Sequence, residues 1–138
     1  MKVKQAMHKG CTWCSPDSSL PEVAKILRDE DIGSVPIGEN DKLIGMVTDR
    51  DICCRGVAEG RDLSSLTARD VMTEGVAWCW EDDDLDSALQ KMEENQLRRM
   101  PVMNSEKRMV GILSLGDITH SAPPQQAAEF ASSVSAHH

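Results

Sequence analysis

One segment occurs twice in this chain, and a doubled segment restricts the fold more than any composition can. Gly45-Met46-Val47-Thr48-Asp49-Arg50-Asp51-Ile52 returns as Gly111-Ile112-Leu113-Ser114-Leu115-Gly116-Asp117-Ile118. The copies extend far upstream of this stretch. A constant displacement lays Met7 on Met72, Gly10 on Gly75, Trp13 on Trp78, Cys14 on Cys79, Leu20 on Leu85 and Pro36 on Pro101. One extra residue near Glu106-Lys107 then brings Gly45 onto Gly111, Asp51 onto Asp117 and Ile52 onto Ile118. The repeat sets residues 1–60 as a first motif, 61–67 as a linker, 68–122 as a second motif and 123–138 as a flexible or partly helical tail.

Within each copy the pattern of apolar residues defines the elements. A short helical turn comes first, clearest where Thr67-Ala68-Arg69-Asp70 forms a capping box and Gly75 supplies a stop. First strands are predicted over Cys11–Cys14 and Val76–Trp80. Ser19 with Glu22 starts a helix whose apolar stripe is Leu20, Val23, Ala24 and Leu27. Asp84 starts its counterpart with Leu85, Ala88, Leu89 and Met92. Val35-Pro36-Ile37 and Met100-Pro101-Val102-Met103 are short strands, and the proline places each at a strand start or an edge. Polar turns at Glu39-Asn40-Asp41 and Asn104-Ser105-Glu106 lead back into buried strands, Leu43–Val47 and Met109–Leu113, and then into a final helix. Each copy therefore reads β-α-β-β-α. A unit of about 50 residues buries too little surface to be stable alone, so two copies sharing one core account for the doubling.

Thr48 and Ser114 stand where a strand gives way to a helix, each with a carboxylate three residues on. A capping box explains either copy taken singly. Two copies at matching places favour a site, because unpaired N–H groups at a helix start attract a phosphate and a carboxylate can accept two hydrogen bonds from a diol.

These residues carry a family resemblance. The doubled unit, with G-φ-φ-[TS]-x-x-D-I closing each copy and φ-P-φ before it, resembles the tandem CBS-domain pair, or Bateman module, of the stand-alone bacterial type. The resemblance covers about 120 of the 138 residues. It implies an α+β fold of two β-α-β-β-α repeats packed sheet to sheet with pseudo-two-fold symmetry. It also implies a non-catalytic regulatory module, with clefts that hold AMP, ADP, ATP, NAD or S-adenosylmethionine as regulatory ligands rather than as tightly bound cofactors. By the same resemblance Asp51 and Asp117 take the ribose, Thr48 and Ser114 the phosphate, and Arg50 or Arg99 adds charge. The base lies near Cys11, Val35 and Pro36, or near Val76, Met100 and Pro101. Leu115 and Gly116 replace Asp49 and Arg50 in the second copy. A homodimer that signals to a regulated protein is the expected assembly. The alternative is a ligand-free dimeric scaffold, with a cysteine-based redox or metal switch behind it.

Several classes are excluded on simple grounds. A formal net charge of −8 opposes a nucleic-acid partner. No apolar run approaches a membrane span and no signal-type segment opens the chain, which points to the cytoplasm. Five cysteines, an odd number including the vicinal Cys53-Cys54, suit reduced thiols better than a disulfide framework. Cys11-Thr12-Trp13-Cys14 lies in a predicted strand, where residues three apart face opposite ways, so structural cysteines are expected. Trp13, Trp78 and Trp80 are expected in the core or at a contact, and Glu81–Asp84 as a solvated loop before a helix. His8 and His120 lack ligand spacing. No nucleophile–base set, Gly-rich phosphate loop or His-Glu-x-x-His helix is present, so catalysis is not expected.

Overall fold

The computed structural model describes residues 1–10, 12–40 and 42–134. In chain order the elements are α1 (Val3–Ala6), β1 (His8–Lys9), α2 (Leu20–Asp29), β2 (Ser34–Glu39), β3 (Lys42–Thr48) and α3 (Asp49–Asp51), which runs on as a π-helical stretch over Ile52–Val57. A 3-10 turn at Leu63–Ser65 leads to α4 (Ala68–Val71) and β4 (Thr73–Glu74). The remainder is β5 (Cys79–Trp80), α5 (Leu85–Glu94), β6 (Arg99–Met103), β7 (Met109–Ser114), α6 (Leu115–Ser121) and α7 (Pro124–Val134). The fold is α+β with two sheets, ordered β2-β3-β4 and β1-β7-β6-β5.

The spatial units are offset from the sequence repeats. One unit is Thr12–Val76; the other joins Met1–Cys11 to Ala77–His138. The leading segment of each repeat, its helical turn and the short strand after it, is therefore built into the other repeat's unit. Burial gives the reason. Val3 and Ala6, one turn apart on α1, join the core of Leu85, Leu89, Met92, Met100, Leu113 and Ile118. Ala68 and Val71, at the same places on α4, join Leu20, Val23, Val35, Ile37 and Val47. Removing a valine from water is worth about 1.5–3 kcal/mol, enough to hold a four-residue helix that could not persist alone.

In the Thr12–Val76 unit, Ser19 Oγ accepts from Glu22 N at 3.3 Å and so starts α2. Leu20, Val23 and Leu27 are buried there, whereas Ala24 is exposed and Ile26 takes its place at the edge of the stripe. The strand expected over Cys11–Cys14 leaves, among the described residues, a single parallel bridge from Cys14 to Ile37. Cys14 N donates to the Pro36 carbonyl at 3.0 Å, so the proline ring nitrogen, on the same side of the strand, displaces no regular ladder bond. Arg55 of the π-helical stretch donates to the carbonyls of Val71 (3.0 Å) and Met72 (2.8 Å), closing the end of α4.

In the other unit, Leu85, Ala88, Leu89 and Met92 of α5 are all buried as the periodicity requires. The strand expected over Val76–Trp80 shrinks to β5, parallel to β6 with Cys79 opposite Val102. Pro101 lies just before that pairing begins, so its missing N–H faces no partner strand. The tail forms α7, which buries Ala127, Phe130 and Val134 in the same core. The acidic run is more than a solvated loop. Asp82 pairs with Lys4 at 2.9 Å, Asp83 Oδ2 accepts from Trp80 N, and the Val3 and Lys4 N–H groups donate to the Asp83 and Glu81 carbonyls. The run thus ties the N-terminal segment down.

Candidate functional site

Both predicted corners form, one in each unit. Thr48 ends β3 and caps α3: Asp51 N donates to Thr48 Oγ1 at 3.1 Å and Thr48 N donates to Asp51 Oδ2 at 2.9 Å. Ser114 ends β7 and caps α6 in the same way, with Asp117 N on Ser114 Oγ and Ser114 N on Asp117 Oδ2, both at 3.2 Å. The capping box is therefore real in both copies, and it uses one carboxylate oxygen in each. The other oxygen differs between corners. Asp51 Oδ1 accepts a long bond from Thr73 at 3.4 Å, whereas no hydrogen bond from the described residues engages Asp117 Oδ1.

Strand register decides which of the predicted residues share a face. Ser34 pairs with Thr48, Val35 with Val47 and Pro36 with Met46. Val35 and Val47 point into their unit's core, so Ser34, Pro36, Met46 and Thr48 line the opposite face of that sheet. In the other unit Arg99 pairs with Ser114, Met100 with Leu113 and Pro101 with Ile112. Met100 and Leu113 belong to the core, leaving Arg99, Pro101, Ile112 and Ser114 together on the far face. The corners therefore gather Pro36, Thr48 and Asp51 in one unit and Pro101, Ser114 and Asp117 in the other. Val35 and Met100 offer those faces only backbone. Arg50 and Arg99 are exposed, and Val76 is half-buried at the end of its unit, directly after Gly75 with φ +69°. Cys11 lies outside the described residues.

Sequence reasoning passed over Ser34. It is 6% exposed, and its Oγ is buried without a hydrogen-bond partner. The available signal was a serine two residues before the strand proline, at the place where the second copy has Arg99.

Outside the corners, the described cysteines divide by burial. Cys14 and Cys79 are buried and Cys53 and Cys54 exposed, all as free thiols. Burial is the main cause that pushes the Cys79 thiol up to about 12, with Asp83 adding to it and Lys91 opposing; burial also raises Cys14. Neither is an activated nucleophile. Among the described residues no three His, Cys, Asp or Glu side chains are grouped to hold a metal ion. Trp78 and Trp80 pack edge to face with centroids 4.7 Å apart, and Lys91 Nζ lies 5.8 Å above the Trp78 ring. An open depression of about 610 Å³ is lined by Lys4, Gln5, Met7, Lys9, Glu81 and Val110, none of them a corner residue. No helix among the described residues is long and apolar enough to cross a membrane.

Comparison with known proteins adds four findings. The family model described as CBS domain matches residues 3–55 and 68–123. Hypoxic response protein 1 of Mycobacterium tuberculosis is 35% identical over 132 residues, covering 95% of this chain and 92% of that protein. A crystal structure of Hypoxic Response Protein I with two coordinated zinc ions matches with a TM-score of 0.79 at 35% identity, over 89% of this chain and 100% of the other. The crystal structure of the CBS domain pair of protein MJ0100, in complex with 5′-methylthioadenosine and S-adenosyl-L-methionine, matches with a TM-score of 0.77 at 30% identity, over 87% and 94% of the two chains.

Proposed function

Because the chain belongs to the CBS-domain family, we propose that it is a non-catalytic regulatory module that binds an adenosine-type ligand at the Thr48–Asp51 corner, the Ser114–Asp117 corner, or both. The observation that carries this reading is the division of labour within each carboxylate. Oδ2 holds the cap, while Oδ1 of Asp117 takes no bond from the described residues and Oδ1 of Asp51 takes only the 3.4 Å contact from Thr73, which leaves acceptor sites for a ribose diol. Support also comes from MJ0100, a relative 30% identical whose CBS pair holds two adenosine compounds. Pro36 and Pro101 share the face of their corner and offer flat apolar surface for a base. In this reading ligand changes the stability of the local arrangement, and a partner protein or a second copy reads the change. The response is limited to the difference in affinity between the two states.

The test is calorimetric titration with adenosine, AMP, ADP, ATP, NAD and S-adenosylmethionine. Asp51→Asn and Asp117→Asn keep an acceptor for the cap but replace the second carboxylate oxygen with a donor. Each variant is expected to remove one site while melting within about 3 °C of the parent, since a cap worth about 1 kcal/mol is retained. Full binding by both variants contradicts the ribose assignment.

The scaffold reading has one observation in its favour: Ser114 Oγ donates to Asp117 Oδ2 at 2.8 Å, so that corner is satisfied without a ligand. Assembly that no compound of the panel alters, with no thermal shift, would establish it.

A further inference from the structure

We propose that the adjacent thiols of Cys53 and Cys54 form a redox-modification site: a low-molecular-weight disulfide oxidises them to a strained vicinal disulfide, which unwinds the π-helical stretch that carries them. Both thiols are free and exposed, whereas Cys14 and Cys79 are buried. Packing on either side explains the outward position. Ile52 lies against the core of its unit, and Gly56 is buried, with side chains of Leu63 and Leu20 at 3.1 and 3.6 Å from where a Cβ would stand. The pair belongs to the first copy alone. Thr119 and His120 take the same places after Asp117-Ile118, within the regular helix α6.

The backbone beneath the thiols is the only π-helical run among the described residues, and such runs are rare and seldom exceed a single turn. Ala58 N closes its wide turn by donating to the Cys53 carbonyl at 2.8 Å. The residue after the pair, Arg55, donates to the Val71 and Met72 carbonyls at 3.0 and 2.8 Å and reaches Thr73 Oγ1 at 3.3 Å. A change of backbone at Cys53 and Cys54 therefore pulls on the group that ties down the end of α4 and the start of β4.

The chemistry is thiol–disulfide exchange in two steps. One cysteine gives its proton to solvent, and its sulfur attacks the low-molecular-weight disulfide; a mixed disulfide forms and one thiolate leaves. The neighbouring cysteine, deprotonated in turn, attacks the protein sulfur of that mixed disulfide. The Cys53–Cys54 bond closes and the second thiolate is expelled, so two electrons pass from the protein to the reagent. Geometry limits the product. Cα atoms joined by one trans peptide lie about 3.8 Å apart, whereas disulfides usually span about 4.4–6.8 Å. Closing the ring twists the peptide between the cysteines out of helical geometry and takes the Cys53 carbonyl away from Ala58 N. The same strain makes the bond easy to reduce, the property of a reversible switch rather than of a structural crosslink.

The experiment incubates the folded protein with oxidised glutathione, alkylates the remaining thiols and cuts the chain with trypsin. Cleavage after Arg50 and Arg55 gives peptide 51–55, which holds both thiols and no other cysteine. In the parent this peptide is expected to be lighter by two hydrogens and free of glutathione, and reduced glutathione is expected to reopen it. Cys53→Ser and Cys54→Ser each lack the second thiol, so each is expected to retain one glutathione. In the oxidised parent, amide exchange over residues 52–58 and 71–73 is expected to rise roughly tenfold or more. Glutathione retained on the parent peptide, a link from that peptide to another cysteine, or no reaction of the folded protein overturns the site. Closure that leaves amide exchange unchanged overturns the coupling to the helix.

Discussion

Gly111 is the glycine of the second repeated octapeptide, and it is where a single methyl group does most damage. Lys9 of β1 pairs with it across the ladder. A Cβ built there falls inside hard contact of the His8 carbonyl oxygen and 2.9 Å from Met7 Sδ. The sulfur can swing aside, but the carbonyl is backbone and is fixed by the pairing itself. Gly111→Ala therefore has to push β1 away from β7, which strains the bond from Gly10 N to the Val110 carbonyl (2.9 Å) and loosens the seat of Val3 and Ala6. One or two weakened hydrogen bonds and a partly disturbed apolar contact amount to about 2–3 kcal/mol. At roughly 3 °C per kcal/mol for a chain of this size, the melting midpoint falls by about 6–9 °C. Gly45→Ala meets Met72 Sδ at 2.8 Å and the Thr73 carbonyl at 2.9 Å, a gentler collision, and is expected to cost less. Gly116→Ala meets only Ser114 Oγ at 3.8 Å and is expected to be neutral or stabilising, since alanine favours a helix. Thermal unfolding followed by circular dichroism ranks the three. A Gly111→Ala protein melting within about 2 °C of the parent, or below Gly45→Ala in its effect, refutes the steric argument.

Arg55→Gln removes the donor that closes α4 through the Val71 and Met72 carbonyls, and a loss of about 1–2 kcal/mol in urea unfolding is expected; no loss would show water serving equally well. Phe130→Ala empties a fully buried position on α7, and a destabilisation of about 3–5 kcal/mol separates a docked helix from a dispensable tail. Alkylation mapped by mass spectrometry is expected to modify Cys53 and Cys54 in the native protein and Cys14 and Cys79 only after unfolding. Cys79 holds its proton to about 12 when folded, so its contribution is complete below the unfolded thiol value near 8.5 and is lost as pH rises through the interval above it. A native stability that is flat across that interval contradicts the burial.

Local signals gave the central elements of each copy because they act over three or four residues. Ser19 caps α2, Thr48 and Ser114 cap α3 and α6, and the apolar stripe of α5 is buried in full. The prolines were harder to read. A proline inside β2 or β6 is tolerable only because the neighbouring strand is a single bridge at Cys14 or begins after Pro101, and neither fact is local. The short strands β1 and β4 escaped notice for a related reason. Two residues carry no period, and what holds His8–Lys9 and Thr73–Glu74 is a partner strand about a hundred or thirty residues away in the chain, at Gly111 and Gly45. Those glycines were visible as a repeated letter; the close backbone approach that demands them was not. The exchange of leading segments is likewise invisible, because Val3 and Val71 would look the same in either core. At the corners, the hydroxyl and acid were legible, whereas the face on which Val35 and Met100 lie depended on register.

The same carboxylates cap a helix and are assigned to a ligand, and the two roles are compatible only because a carboxylate has more acceptor sites than a cap requires. Consider what a ribose must displace. At Asp117 it displaces no bond from the described residues, and the Ser114 hydroxyl stays where it is. At Asp51 it competes with Thr73, whose hydroxyl reaches Oδ1 at 3.4 Å and also receives a bond from Arg55 at 3.3 Å. Thr73 belongs to β4, and Arg55 belongs to the π-helical stretch that continues α3. A ligand at the first corner therefore acts on a small network joining three elements of its unit. One at the second corner acts on its carboxylate alone. The two repeats share the capping pattern, yet among the described residues only the first has its acid bonded to a neighbouring element; under the proposed reading, the first corner is therefore the one at which occupancy would disturb surrounding structure.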